Sequence, residues 1–357
     1  MTRVLVDLLF MDGHKGGMEQ YAQSLYRHFP ESTLELVGFA SAELMTVGAD
    51  WFPGELVASG ISGGNRRAWA QGEVLSVDAV ARKVGAHLVH SPANFGPWWG
   101  RVPVVLTVHD LLPFHSEYVG GGGTVIRTLV RRAAAHATRI LTDSEQSRAD
   151  IAKRLRPNAE VDVIPLAGGS AHALSVAEPR ESGLLLALGN RLPHKNFEAL
   201  LEALALIPPQ VRPRLVITGG GPKDPLTSVV ARLGLQSSVE LAGWVTPEQL
   251  ERLYARATAV VVPTLFEGFG LPVLEGLSRG CPVICSELPV LREVAGTAAA
   301  YFDPRDPRSI ATVIRSTLAD GAKLAELTRL GAERGAAFSW TRTAQLTFES
   351  FEQVLAR

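Results

Sequence analysis

The segment Phe266 to Glu275, FEGFGLPVLE, sets two carboxylates eight positions apart around two glycines and a proline. Gly268 and Gly270 let a ligand approach the main chain closely, and Pro272 suits the first position of a helix, where its missing N–H is no loss. The amides of Phe269, Gly270 and Leu271 would then point outward at a helix N-terminus, a natural place for an anion. Glu275 falls one turn inside that helix and Glu267 just before the loop, so each carboxylate can accept hydrogen bonds from hydroxyls. Hydroxyls at both ends with an anion between them describe a sugar joined through a diphosphate to a nucleoside. The same glycines would also serve an ordinary turn between two solvated acids.

A departing diphosphate gains negative charge that fixed cations and amides must stabilise. GNRLPHKNF (189–197) brings Asn190, Arg191 and Lys195 into a loop that follows a strand pattern, where a phosphate-facing loop belongs. GHKGGMEQY (13–21) joins another strand pattern to its helix, so Gly16 and Gly17 can offer amides to the same group. Neither this loop nor GGGP (219–222), which holds Gly220, has the G-x-G-x-x-G spacing of a dinucleotide site. TVHDLLP (107–113) sets His109 and Asp110 at a strand end. HSPANFGP (90–97) does the same for His90, and a lone histidine there is as readily a core residue. No Asp-x-Asp pair or histidine cluster has metal-ligand spacing.

These residues need a scaffold, and the apolar runs supply one. RVLVDLLF (3–10), LELVGFA (34–40), AHLVH (86–90), VPVVLTVH (102–109), RILT (139–142) and VDVIP (161–165) are short and β-branched, with helix-length spacers. Such runs suit parallel strands buried on both faces. The helix after the first run is plain, with Met18, Tyr21, Ala22, Leu25 and Phe29 at three- and four-residue steps and Pro30 to stop it. The rhythm restarts with LLLALG (184–189), RLVITG (214–219), VELAG (239–243), AVVVP (259–263) and PVICS (282–286). The fold class is α/β, with two doubly wound domains facing a cleft: residues 1–170, then 171–340, with the Gly/Ser/Ala-rich stretch near 167–183 as linker. A terminal helix (341–357) with Leu346, Phe348, Phe351 and Leu355 near one face is expected to cross back to the first domain and permit hinge closure. The GGGG run at 120–123 is expected to be a surface loop.

At 357 residues, 46% apolar and 20% charged, the chain has ample core for two domains. A formal charge of −1 gives no global field for nucleic acid. Cys281 and Cys285 sit in CPVIC, a strand-like run, and read as reduced core residues. The opening run is too short for a secretory signal, and no apolar run reaches the ~18 residues that span a bilayer. A cytoplasmic protein with at most peripheral membrane contact at the inner face is expected. Arg127, Arg131 and Arg132 form a basic helical cluster, read as a solvated face or as a site for an anionic or lipid-phosphate acceptor. Trp98 and Trp99 offer an acceptor platform or simple packing.

FEGFGLPVLE resembles the donor-binding motif of the retaining glycosyltransferases of family 4, which have the GT-B fold. LVITGGGP (215–222), the run 239–270, PVICSELPVLREVAG (282–296), YFDPRDPRSIA (301–311) and FSW (338–340) resemble the family in the same order. TVHDLLP, HSPANFGP and TDSEQSRADI (142–151) do so in the first half, where Ser144 is expected to cap a helix. The resemblance implies that Glu275 binds the donor ribose and Glu267 the transferred sugar. It implies that the amides around Phe269 to Leu271 contact sugar and phosphates, and that Gly220 lies beside the nucleoside. Lys195 takes the position of the diphosphate lysine. The family's arginine slot holds Asn190, with Arg191 one residue late, so Pro193 and Asn196 fit a Pro-x-Lys-Asn variant without that arginine. His109 would hydrogen-bond the transferred sugar and stabilise charge in the transition state, with His90 and Asp110 toward the acceptor. The implied chemistry is a metal-independent, front-face transfer of a hexose to a glycan, lipid-linked or small-molecule acceptor. GDP-mannose is the first donor expected and a UDP- or dTDP-sugar the second. A glycosidase using Glu267 and Glu275 as acid and nucleophile is the rival enzyme class. An epimerase of the same fold and a non-catalytic nucleotide-sugar-binding subunit are the others.

Overall fold

The computed structural model describes residues 2–13, 16–119, 123–168 and 180–357. Most of the GGGG run and residues 169–179 of the expected linker lie outside the described residues, as do His14 and Lys15. The chain divides into two compact units, Met1–Leu166 with Ser339–Arg357, and Ala167–Phe338.

In the first unit, seven parallel strands run in the order β3-β2-β1-β4-β5-β6-β7. They are β1 (Thr2–Leu8), β2 (Leu34–Ala40), β3 (Glu55–Ala58), β4 (Leu88–Ser91), β5 (Val104–Thr107), β6 (Arg139–Thr142) and β7 (Glu160–Val163). Six parallel strands of the second unit run in the order β10-β9-β8-β11-β12-β13. These are β8 (Leu184–Ala187), β9 (Arg214–Ile217), β10 (Val239–Leu241), β11 (Ala259–Val262), β12 (Val283–Ser286) and β13 (Ala299–Phe302). β4, β5, β6, β8, β11 and β12 are buried along their whole length, as continuous apolar runs covered by helices on both faces require. Around β8 and β11, Leu200, Leu204 and Ile314 from flanking helices are fully buried, each worth about 1.5–3 kcal/mol relative to exposure.

Strand order reverses between β1 and β4 in one sheet and between β8 and β11 in the other. Crevices at such reversals, beyond the carboxyl ends of the strands, are where open α/β sheets bind ligands. β3 and β13 have no counterpart among the apolar runs. β3 is a half-exposed edge strand opening on Glu55, and β13 is alanine-rich, so neither carries a strong strand pattern.

The first helix, Gly17–Arg27, buries Tyr21, Ala22 and Leu25 as its periodicity predicts. Ser144 caps the helix Glu145–Arg154 by accepting from the Ser147 amide at 3.0 Å. The terminal helix, Trp340–Leu355, belongs to the first unit, where Thr343 donates to the Pro165 carbonyl at 2.6 Å. Of the expected face Phe351 is fully buried and, with Phe348, packs on Phe29, but hydroxyl residues make up much of the rest. Thr343, Thr347, Ser350, Phe351 and Val354 point inward, while Leu346, Phe348 and Leu355 are only half-buried. Thr347 and Ser350 hide their hydroxyls by donating to the carbonyls of Thr343 and Leu346, one turn back. Cys281 and Cys285 are free and buried. Among the described residues no helix is long and apolar enough to cross a membrane.

Candidate functional site

The strongest concentration of expected site residues lies at the β8/β11 reversal in the second unit. The loop after β8 makes a short 3-10 turn over Pro193–Lys195 and ends at Asn196, whose φ of 58° is left-handed. The Asn196 side-chain amide donates to the carbonyls of Pro263 (3.0 Å) and Pro304 (2.8 Å). The Leu265 amide and the Thr264 hydroxyl both donate to the His194 carbonyl, at 2.7 and 3.0 Å. These bonds stitch the loop after β8 to the loop after β11. They bring Lys195 and Glu267, 72 residues apart in sequence, into an ion pair of 2.7 Å between Nζ and Oε1. Their side chains remain 16% and 13% exposed, so the pair is reachable. Beside it, His194 is pushed down to about 4 by burial and then by the Lys195 cation, which keeps it neutral at physiological pH.

FEGFGLPVLE forms the expected loop and helix. The helix spans Leu271–Ser278 with Gly270 as its N-cap, so Pro272 takes the second helical position rather than the first. Gly270 has φ 100°, and a Cβ there would lie 2.5 Å from Leu291 Cδ2, so no other residue fits without rearrangement. The amides of Phe269, Gly270 and Leu271 donate to no group among the described residues. Phe269 itself is buried edge-on against Phe338. Glu275 accepts from the Tyr254 hydroxyl at 2.8 Å. Tyr254 rides on the helix Pro247–Arg256, which a Thr246/Gln249 capping box fixes at its start. Arg279 lies 4.5 Å over the Tyr254 ring and grips Glu251 through both carboxylate oxygens, completing the support.

Arg191 departs from the expectation that it contacts the donor. Its guanidinium is buried against Asp224 at 2.8 Å and also donates to the Gly189 and Thr218 carbonyls. Burial raises the cost of the Asp224 charge, but Arg191 outweighs it and holds the carboxyl below its ordinary range. Arg191 therefore braces the loops after β8 and β9. Gly220 is part of that brace: a Cβ there would come within 2.1 Å of Asp224 Oδ2 and 2.7 Å of Arg191 Nη2. Asn190 is exposed and turns inward only to accept from the Leu192 amide. Near these loops the Gly219 amide donates to the Gly243 carbonyl, and the next residue, Trp244, is 76% exposed.

In the first unit, His109 lies just past β5 and Asp143 just past β6. His109 Nδ1 meets Asp143 Oδ2 at 2.9 Å and Nε2 meets the Pro92 carbonyl at 2.9 Å. A carbonyl only accepts, so Nε2 carries a proton. Burial opposes a second proton, but Asp143 and Pro92 outweigh it and raise the His109 pKa. Tyr21 packs edge-on against the ring at 4.6 Å. Both ring nitrogens are thus occupied by the protein's own groups, contrary to the expected direct hydrogen bond to a sugar. Asp110 accepts from the Leu112 amide at 2.8 Å and shapes the following turn.

His90 is corrected outright. It is fully buried, bonded to the Tyr26 hydroxyl (2.5 Å) and the Thr107 hydroxyl (2.9 Å), and burial pushes it down to about 3. It is a core histidine. Gly16 caps the first helix and Gly17 opens it, both exposed, while Glu19 occupies the amides of Asp12 and Gly13 earlier in that loop. Trp98 packs on the core while Trp99 stays 52% exposed.

The family model Glycosyltransferase Family 4 matches residues 15–167, and the model Glycosyl transferases group 1 matches residues 174–334, one in each unit. The chain belongs to glycosyltransferase family 4. Its identity to the Escherichia coli O-antigen chain mannosyltransferase B is 33% over 228 residues, 60% of each chain. To the MMP alpha-(1->4)-mannosyltransferase of Mycolicibacterium hassiacum it is 29% over 273 residues, 71% of this chain and 66% of the other. The aligned parts span 60% of the first relative's length and 35% of the Escherichia coli serotype-specific mannosyltransferase WbdA's. Among solved structures, the sucrose-phosphate synthase of Thermosynechococcus elongatus superposes with a TM-score of 0.80 at 19% identity over 100% of both chains. Anabaena HepE, solved with UDP-glucose, gives 0.74 at 19% identity over 99% of this chain and 100% of its own. At these identities the likeness establishes the fold, which is the two-domain GT-B fold.

Three supporting residues, one in the first unit and two in the second, gave the sequence reading little to go on. Asp143 stands in the quoted TDSEQS string directly after a strand, a position that could have flagged it. Tyr254 and Asp224 gave no such signal, because their importance comes only from what they touch.

Proposed function

We propose that the protein is a retaining glycosyltransferase that moves a hexose from a nucleoside-diphosphate sugar to an acceptor hydroxyl without a metal ion. The observation that carries this reading is the reachable Lys195–Glu267 pair beside three amides that have no acceptor among the described residues. An ammonium has three N–H donors, and one is engaged by Glu267. The other two, with the amides of Phe269 to Leu271, would hold the diphosphate oxygens. Glu267 Oε2 would accept a hydroxyl of the transferred sugar. Glu275, oriented by Tyr254, would accept the ribose hydroxyls, and Trp244 would stack on the base.

In the front-face step, the bond from sugar C1 to the phosphate oxygen breaks as the acceptor oxygen bonds to C1 on the same side. The acceptor proton passes to the departing phosphate oxygen. Lys195 and the amides stabilise the charge that develops there.

GDP-mannose is the first donor to test, since the named relatives include mannosyltransferases; the UDP-glucose complex of a GT-B neighbour makes UDP-sugars the second. The experiment is a thermal-shift screen of GDP-, UDP- and dTDP-sugars, followed by product analysis by NMR with and without EDTA. A tight ligand at about 100 times its dissociation constant adds about 2.7 kcal/mol of stability. Transfer with retained anomeric configuration, undiminished by EDTA, is the expected result. Inversion of configuration, or loss of activity on chelation, would overturn the mechanism.

A further inference from the structure

The first unit contains a pocket that none of this chemistry uses. Its cavity volume is about 550 Å³, and Arg127, Arg131, Lys153, Arg154 and Arg156 line it around Phe114. Among the described residues none of the five cations is ion-paired. Arg148, on the same helix as Lys153 and Arg154, pairs with Glu145 at 2.5 Å, and Glu117 pairs with His115 at 3.2 Å, with Arg154 acting on it only through its longer-range charge.

The cations are held without being neutralised. Arg127 donates to the Pro113 carbonyl (3.3 Å) and the Thr124 hydroxyl (2.9 Å), and Arg154 donates to the Phe114 carbonyl (3.3 Å). Arg131 sits 5.0 Å over the Phe114 ring. Arg156 keeps a φ of 49°, a conformation that glycine or asparagine adopts more cheaply, yet the position carries a cation. Five like charges around one cavity repel each other, and a bound anion relieves that repulsion. Guanidinium forks match phosphate oxygens in pairs, and several forks around one cavity suit more than a single negative charge. The volume exceeds that of a bare phosphate and leaves room for the group that carries it, with Phe114 as an apolar wall.

We propose that this pocket is an anion site for a phosphate or diphosphate group. It is built wholly from the first unit and shares no residue with the Lys195–Glu267 constellation, so it does not rest on the transferase reading.

The test uses the full chain and two kinds of probe. Inorganic pyrophosphate is titrated by calorimetry, and vesicles of phosphatidylglycerol or phosphatidylcholine are used for co-sedimentation. The variant Arg131→Ser/Lys153→Ser/Arg156→Ser removes three exposed side chains, and Lys195→Ala serves as the control for pyrophosphate bound in the second unit. The expected result is a site that Lys195→Ala leaves intact and that the triple variant weakens at least tenfold. Loss of pyrophosphate binding marks a soluble phosphate ester as the ligand. Loss of phosphatidylglycerol binding alone, with phosphatidylcholine never bound, marks a lipid headgroup. Should the triple variant fail to fold, Arg131→Ser alone is expected to weaken the same binding about fivefold. If neither probe binds the wild type, or if binding is indifferent to these substitutions, the proposal is wrong.

Discussion

The two sheets each place a basic side chain against a carboxylate beyond their carboxyl edge, at nearly the same distance: 2.9 Å for His109 and Asp143, 2.7 Å for Lys195 and Glu267. The difference is in what is left over. An imidazole has two ring nitrogens, and Asp143 and Pro92 take both. An ammonium has three N–H groups, and Glu267 takes one. The same contrast recurs four residues apart on one loop, where Arg191 is consumed by Asp224 and two carbonyls while Lys195 is not. Spare bonding capacity separates a residue that can receive a ligand from one that holds the frame.

That contrast can be broken at either end. Lys195→Ala is expected to cut kcat by about 10²–10³ while the melting temperature changes little, because it removes charge stabilisation at the leaving group. A rate within threefold of wild type would mean that the spare donors are not used. Arg191→Ala should do the reverse and cost about 3 kcal/mol in urea unfolding, since it strands the buried Asp224; a loss below about 1 kcal/mol would deny it the bracing role. Glu275→Ala should weaken nucleotide-sugar binding by about 2 kcal/mol, roughly thirtyfold, through loss of charged hydrogen bonds. Unchanged affinity in calorimetry would separate Glu275 from the ribose.

The His109–Asp143 pair should make a contribution to stability that depends on pH. Because the folded pKa of His109 is raised, that stabilisation is fully present below the ordinary histidine value of about 6.5 and disappears as pH climbs through the folded value. Unfolding of wild type and His109→Asn, followed from pH 6 to pH 9, should show a gap that narrows; a gap that widens would reverse the assigned sign. Trp244→Ala is expected to loosen nucleotide binding by about 1 kcal/mol, near fivefold, if the ring stacks on a base. No change would leave that exposed tryptophan without a role in the donor site.

The parallel sheets were legible because their central strands are buried on both faces and so read as unbroken apolar runs. LELVGFA and RILT even share their bounds with β2 and β6. The edge strands β3 and β13 were not, since half-exposed or alanine-rich segments carry little periodic signal. FEGFGLPVLE could be read because its chemistry is local: glycines, a proline and a helix start within ten residues. Lys195 could be placed for the same reason. His90 and Arg191 could not be judged from their neighbours in sequence. Their fate depends on Tyr26, Thr107 and Asp224, which lie 64, 17 and 33 residues away. The terminal helix was misjudged by its side-chain types, because hydroxyls that donate to their own helix can be buried where leucines were expected.

The contact between Lys195 and Glu267 also sets an entry condition. Any newcomer that brings only an anion must compete with a carboxylate already in place, and any newcomer that brings only hydroxyls must compete with an ammonium. A molecule carrying both can reward each partner for loosening its hold on the other. Such a gate would favour the intact activated sugar over stray phosphate or free monosaccharide, so selectivity would begin before any chemistry does.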